Sequence, residues 1–187
     1  MPIYALGDLE PTIHELAYVH PDAVLIGAVT IGAEATIWPG AVLRADFGRI
    51  DVGARTSIQD GSVVHTTEEW PTVIGAECVV GHNVHLEGCV IEDRCLIGSG
   101  SIVLNRARVG TGTVVGAQAL VTEDTEVPPG SMALGVPAKI RPGDIGQQDE
   151  WISLAVHEYV EQGKAYRHSL RLVKPSGRST EDCDDTI

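Results

Sequence analysis

The chain has 187 residues, with 26 acidic against 13 basic side chains and a formal charge of -13. Residues 171–187 hold three basic and four acidic side chains, so the acidity belongs to the body of the chain; it repels phosphate backbones and anionic lipid heads and excludes nucleic-acid and membrane-surface partners as expectations. Aromatic residues make up 4%, with one Phe, while Gly reaches 21, which favours a thin, regular β-architecture built on small and β-branched side chains.

The N-terminus, MPIYALGDLEP, has no basic n-region or long apolar stretch, and no apolar run is long enough to span a bilayer, so the chain reads as cytoplasmic. The cysteines Cys78, Cys89, Cys95 and Cys183 form no CxxC pair and read as small hydrophobes, with one tail thiol.

From residue 31 the chain divides into sixes: IGAEAT, IWPGAV, then VGARTS, IQDGSV, IGAECV, VGHNVH and onward to VGAQAL. The first position is always Ile or Val (Ile31, Ile37, Val52, Ile58, Ile74, Val80, Ile91, Ile97, Val103, Val109, Val115), and the fifth is small or compact. Six residues advance an α-helix by about 600°, which scatters such positions over its faces. A short strand plus a tight turn fits instead, and three such units close a triangular coil. The aliphatic residue points inward, the small one fills the corner, and Gly or Asn takes the turn backbone. This is a hexapeptide solenoid.

The period breaks in three places. Nine residues separate Leu43 from Val52 and ten separate Val64 from Ile74, marking the insertions ADFGRI and TTEEWPT that project from the coil. Only five separate Leu86 from Ile91, a deletion to be absorbed at a corner. After Val121 the pattern gives way to a Pro/Gly-punctuated connector. A helix over about 149–170 follows, with Ile152, Ala155, Val156 and Tyr159 as its apolar stripe, acids at its start, and Lys164, Arg167 and His168 at its end. The expected organisation is a β-helix over 1–135, a connector and helix over 136–170, and a disordered tail over 171–187. Trp38 and Trp70 read as rim packing, Trp151 as the anchor of the helix, and Tyr159 as either packing or a site residue.

Polar residues inside the repeats concentrate in LRAD (Arg44, Asp46), IQDGSVVH (Gln59, Asp60, His65) and GHNVHLEG (His82, His85, Glu87). Imidazoles and a carboxylate are ligand types that Zn²⁺ takes, with three protein ligands and an open fourth position in catalytic sites.

The run LRAD…VGARTSIQDGSVVHTT…IGAECVVGHNVHLEGCVIEDRCLIGSGSIVL, followed by LGVPAKIR and a helix, resembles the γ-class carbonic anhydrase family over about residues 10–168. The resemblance implies an all-β fold, a left-handed parallel β-helix with a C-terminal α-helix, assembled as a homotrimer with metal sites between subunits. It implies hydration of CO2 to bicarbonate by zinc-bound hydroxide, with Zn²⁺ or Fe²⁺ as cofactor. His65 and His82 match two metal ligands, whereas Glu87 stands where the family has its third histidine. Arg44 and Asp46 match the pair that links subunits, Gln59 and Asp60 match residues that bind solvent and brace the neighbouring chain, and Glu68 resembles a proton-transfer acid. A second family acid is replaced by Phe47, and Ser57 stands where many relatives have Asn.

The Glu87 substitution leaves three arrangements open. His65, His82 and Glu87 form a His₂Glu site, whose carboxylate makes bound water less acidic and slows attack on CO2. Alternatively His85 supplies the third nitrogen, which demands a bend because strand side chains alternate. Or the site is metal-free, with Glu87 paired to a cation such as Arg44. Two other functions stand beside carbonic anhydrase activity. One is a hexapeptide acyl- or acetyltransferase handling CoA thioesters, for which Lys139 and Arg141 offer a small basic feature; the other is a non-catalytic ligand-binding trimer.

Overall fold

The structure is a computed structural model and describes residues 2–173. Short parallel strands wind into a left-handed β-helix of about seven turns, closed by one C-terminal helix, α1 (Ile145–Ser169). The coil has three faces. One carries the third-face series from Tyr18–Val19 through Thr36–Ile37, Ser57–Ile58, Val79–Val80, Leu96–Ile97 and Val114–Val115 to Ser131–Leu134. The other two are joined because the strands Val24–Ile31 and Val42–Val52 run unbroken around the edge between them. An antiparallel strand, Lys139–Pro142, finishes the third face beside Ser131–Leu134.

The inward position of each strand, Ile or Val in the hexads and Leu at Leu25, Leu43 and Leu86, explains the core. Leu25, Leu43, Val64, Leu86, Val103 and Val121 are register partners on one face, Ile37, Ile58, Val80, Ile97 and Val115 on another, and all are fully buried. A third column, Val52, Ile74, Ile91, Val109 and Val127, completes the prism. Each such side chain contributes about 1.5–3 kcal/mol of burial. The fifth position fills the corners as expected: Ala35, Cys78, Cys95 and Ala119 are buried, and the Cys78 and Cys95 thiols donate to carbonyls of the next turn, Glu92 and Gly110.

The turn backbone departs from expectation. Gly and Asn take the left-handed conformation at some corners, but Glu34, Arg55, Glu77, Arg94, Arg106, Gln118 and Asp124 take it at others, with φ between 53° and 63°. The second-position glycines serve another purpose. A Cβ on Gly53 would stand 2.4 Å from the Gly75 carbonyl carbon, and one on Gly98 would stand 2.4 Å from the Ala117 nitrogen. Close stacking of successive coils, not turn geometry, requires them.

Both insertions and the deletion are accommodated at corners. The ADFGRI segment does not leave the sheet but stays within the strand Val42–Val52. Its register with the preceding coil jumps from Gly27–Ala45 to Val29–Ile50, so Asp46–Arg49 oppose Ala28 alone. TTEEWPT forms a loop in which Thr67 N–H donates to the Trp70 carbonyl and Trp70 N–H donates to Thr67 Oγ1. The deletion is absorbed at Gly88, φ 56°, where a Cβ would meet Asn105 Oδ1 at 2.2 Å.

The helix α1 begins at Ile145, earlier than expected, because the Asp144 carboxylate accepts from the Gln147 N–H and caps it. Asp149 and Glu150 therefore lie beyond its first turn. Its buried stripe is Gln148, Ile152, Val156, Val160 and Gly163, and it lies along the third face of its own coil. Gly163 is needed for close approach, since a Cβ there would stand 2.5 Å from Thr36 Cγ2. Trp151 is exposed and does not anchor the helix. Trp38 does: it is buried, donates to Thr36 and Ser57 hydroxyls, and packs edge-on against Tyr159 and Tyr166 at 5.9 and 5.2 Å. Trp70 lies on the rim, under the Arg106 guanidinium. No helix among the described residues is long and apolar enough to cross a membrane. Of the tail, only Arg171–Val173 fall within the described residues, and they form no helix or strand.

Candidate functional site

Parallel register turns three separate motifs into one column. Arg44 pairs in register with His65, and His65 with Glu87, so the three occupy the same outward position on successive coils, one strand spacing apart. Asp46 reaches the same place from the start of the bulge. His65 Nε2 lies 3.1 Å from Asp46 Oδ1, and its Nδ1 lies 3.1 Å from Glu87 Oε1. Both contacts are hydrogen bonds only when each ring nitrogen carries a proton, because ionised carboxylates accept and do not donate. Arg44 pairs with Asp46 and not with Glu87. His85, two residues before Glu87 on the same face, closes the cluster with its Nε2 3.2 Å from Glu87 Oε2.

These contacts govern the carboxylates. Burial pushes Asp46 up, but hydrogen bonds from Arg44 and His65 outweigh it and hold the group below its ordinary range. Glu87 behaves alike: burial raises it, and the bonds from His65 and His85 bring it below the usual glutamate value.

His82 lies elsewhere, at an exposed corner. Its Nδ1 is 3.0 Å from Asp60 Oδ2. A carboxylate acceptor places the proton on Nδ1 and leaves the Nε2 lone pair for another partner, the arrangement that prepares a histidine for a metal or for base chemistry. Gln59, next to Asp60, is buried and lies beside Tyr159 of α1. Burial first, then the charges of Asp60 and Glu158, push the Tyr159 phenol above its ordinary value. Glu68 is exposed at the tip of the loop after His65.

The expected residues thus form two groups, Arg44, Asp46, His65, His85 and Glu87 in one and Gln59, Asp60 and His82 in the other. No group of three His, Cys, Asp or Glu side chains among the described residues is arranged to hold a metal ion within one chain. The donors nevertheless suit zinc in part. Two ligands of one tetrahedral zinc stand about 3.3 Å apart, given bonds of about 2.0–2.1 Å, close to the 3.1 Å between His65 Nδ1 and Glu87 Oε1. The Tyr159–Gln59 contact and the doubly held His65 were not anticipated. Counting one coil from His65 to the next rung would have paired it with Glu87.

Comparison with known proteins follows the same lines. The family described as bacterial transferase hexapeptide (six repeats) matches residues 71–105 and 88–123. A carnitine operon protein CaiE from Citrobacter koseri is 38% identical, covering 94% of this chain and 89% of its own length. Gamma carbonic anhydrase 2, mitochondrial, from Arabidopsis thaliana is 32% identical, covering 96% of this chain and 71% of its own. The chain belongs to the hexapeptide-repeat family of γ carbonic anhydrases and CaiE. A solved structure of a hexapeptide transferase family protein from Anaplasma phagocytophilum superposes with a TM-score of 0.85 at 33% identity, over 88% of this chain and 98% of that one. The family therefore joins carbonic anhydrases to a fold shared with transferases.

Proposed function

We propose that this protein is a γ-class carbonic anhydrase-like metalloprotein that interconverts CO2 and bicarbonate. In this reading it is a homotrimer, with His65 and Glu87 of one copy and His82 of a neighbouring copy holding one zinc ion. The observation that carries the reading is the rung pairing of His65 with Glu87 at 3.1 Å while His82, already oriented by Asp60, stands at a different corner. Such a set is completed only by a second copy. Fe²⁺ suits the same nitrogen and oxygen donors.

When bound, zinc supplies a water of lowered pKa as nucleophile toward CO2. The chain's own groups do the rest. Asp60 holds the His82 Nδ1 proton and so fixes its tautomer. Asp46, itself paired with Arg44, holds the His65 Nε2 proton and so leaves Nδ1 beside Glu87 as the donor to the ion. Gln59 lies buried beside Tyr159, and Glu68, at an exposed loop tip, takes a proton to solvent. Glu87 brings a negative charge where a neutral imidazole would stand, which weakens the acidification of water and makes the activity low.

The test is metal content per chain on protein purified without chelator, followed by CO2 hydration. About one zinc or iron per chain is expected, with Glu87→His raising hydration at neutral pH. Absence of bound metal after incubation with excess Zn²⁺ would refute the reading.

A second reading, acyl transfer from a CoA thioester, is supported by the exposed Asp60–His82 pair, which has the form of an oriented general base, and by the likeness to a hexapeptide transferase. Saturable CoA binding with thioester turnover would favour it over the first.

A further inference from the structure

We propose that Phe47 is a positioning residue for His65. The inference rests on the role given to His65 above, but its observations are separate. A lone exposed aromatic ring needs no explanation by itself. Phe47, however, is the only phenylalanine of the chain, is 63% exposed, and sets its ring edge-on to the His65 imidazole with centroids 6.4 Å apart and planes at 75°. That distance and tilt are those of a favourable aromatic pair.

Two consecutive residues, Asp46 and Phe47, therefore reach one imidazole, Asp46 at Nε2 and Phe47 against the ring. A regular strand forbids this, because neighbouring side chains point to opposite faces. The register jump at Asp46–Arg49 permits it. The bulge is also held down. A Cβ on Gly48 would stand 2.6 Å from the Thr67 carbonyl oxygen and 2.9 Å from Thr66 Oγ1, so the backbone after Phe47 lies directly on the loop that follows His65. That loop is itself closed, with Thr66 Oγ1 donating to the Trp70 carbonyl at 2.8 Å. Phe47 is thus fixed against the ring from a rigid base. It restrains the motion about the side-chain torsions of His65 that the contacts of Asp46 and Glu87 leave free, and keeps water from the bonds the ring nitrogens make.

The experiment compares wild type with Phe47→Ala and Phe47→Tyr in two measurements. The first, on metal-free protein, reads solvent exchange of the His65 ring N–H protons by NMR, assigned with a His65→Gln control. The second reads zinc affinity by competition with a chelator. Phe47→Ala is expected to speed ring N–H exchange and to weaken zinc binding about 2–10-fold, the size of the effect of losing one edge-on aromatic pair. Phe47→Tyr is expected to restore both, which a general loss of structure would not allow. If wild type binds no zinc, the proposed function fails and the exchange measurement alone decides the role of Phe47. Unchanged exchange in Phe47→Ala overturns the proposal whatever the metal result.

Discussion

Glu77→Gln offers a quantitative test of how the left-handed corners are held. Glu34, Arg55, Glu77 and Arg94 occupy equivalent corner positions on four successive coils, and their side chains form a chain of alternating charge. The helix closes both ends, with Lys164 on Glu34 at 3.0 Å and Asp149 on Arg94 at 2.5 Å. Glu77 accepts from Arg55 at 3.1 Å and from Arg94 at 2.9 Å, and is 34% exposed. Pairs of that exposure contribute about 0.2–1 kcal/mol each. Losing the charge also leaves two arginines two rungs apart, at about 9.6 Å, repelling by about 0.4 kcal/mol in water. The expected loss is about 1–2 kcal/mol at low salt, a fall in Tm of about 2–8 °C for a chain of this size. Gln118 takes the same backbone conformation at φ 59°, so Gln is tolerated there and the substitution isolates charge. Thermal unfolding at low salt and at 1 M salt, where the screening length shrinks to about 3 Å, checks the argument. The wild-type advantage should fall by more than half. An equal loss at both salts, or none at low salt, would show that corner packing and not charge holds the column.

Three further outcomes follow from the same geometry. Asp60→Ala should weaken zinc affinity about 10–100-fold with a change in Tm of no more than a few degrees, since Asp60 and His82 are each 49% exposed; calorimetric titration and thermal unfolding check both. Asp46 and Glu87 titrate below their ordinary range in the folded state, so the stability they contribute is fully present above the unfolded carboxylate values of about 4 and is lost as pH falls through the lower folded values. Glu87→Gln should therefore flatten the acid limb of a stability-against-pH curve. Burial pushes the Cys89 thiol up to about 12, and a hydrogen bond with Cys95, then burial, raises Cys78. All three coil thiols are also fully buried, so alkylation at pH ~8 should leave Cys78, Cys89 and Cys95 unmodified until the coil unfolds, as peptide mass mapping would show.

The coil was legible from the sequence because its signal is local. An inward aliphatic at each sixth residue and a compact residue four later state which side chains meet the axis, and Ile37, Ile58, Val80 and Ile97 stack as that pattern requires. The helix was legible for the same reason, as were the positions of both insertions and the deletion at Gly88. Neighbours across coils were legible only by counting residues through each corner. Whether Glu87 meets His65 or Arg44 depends on how many residues each corner absorbs, and a single residue more or less would turn Glu87 to the inside. The start of α1 depended on the Asp144 cap, and its anchor on Trp38 rather than Trp151, because helix packing is decided by which face the connector delivers to the coil. Charged residues at left-handed corners could not be foreseen from propensity, which favours Gly and Asn there; their stabilisation comes from partners one whole turn away. Local periodicity therefore determined the solenoid and its polar positions, and the parallel register, a long-range property, determined which of those positions meet.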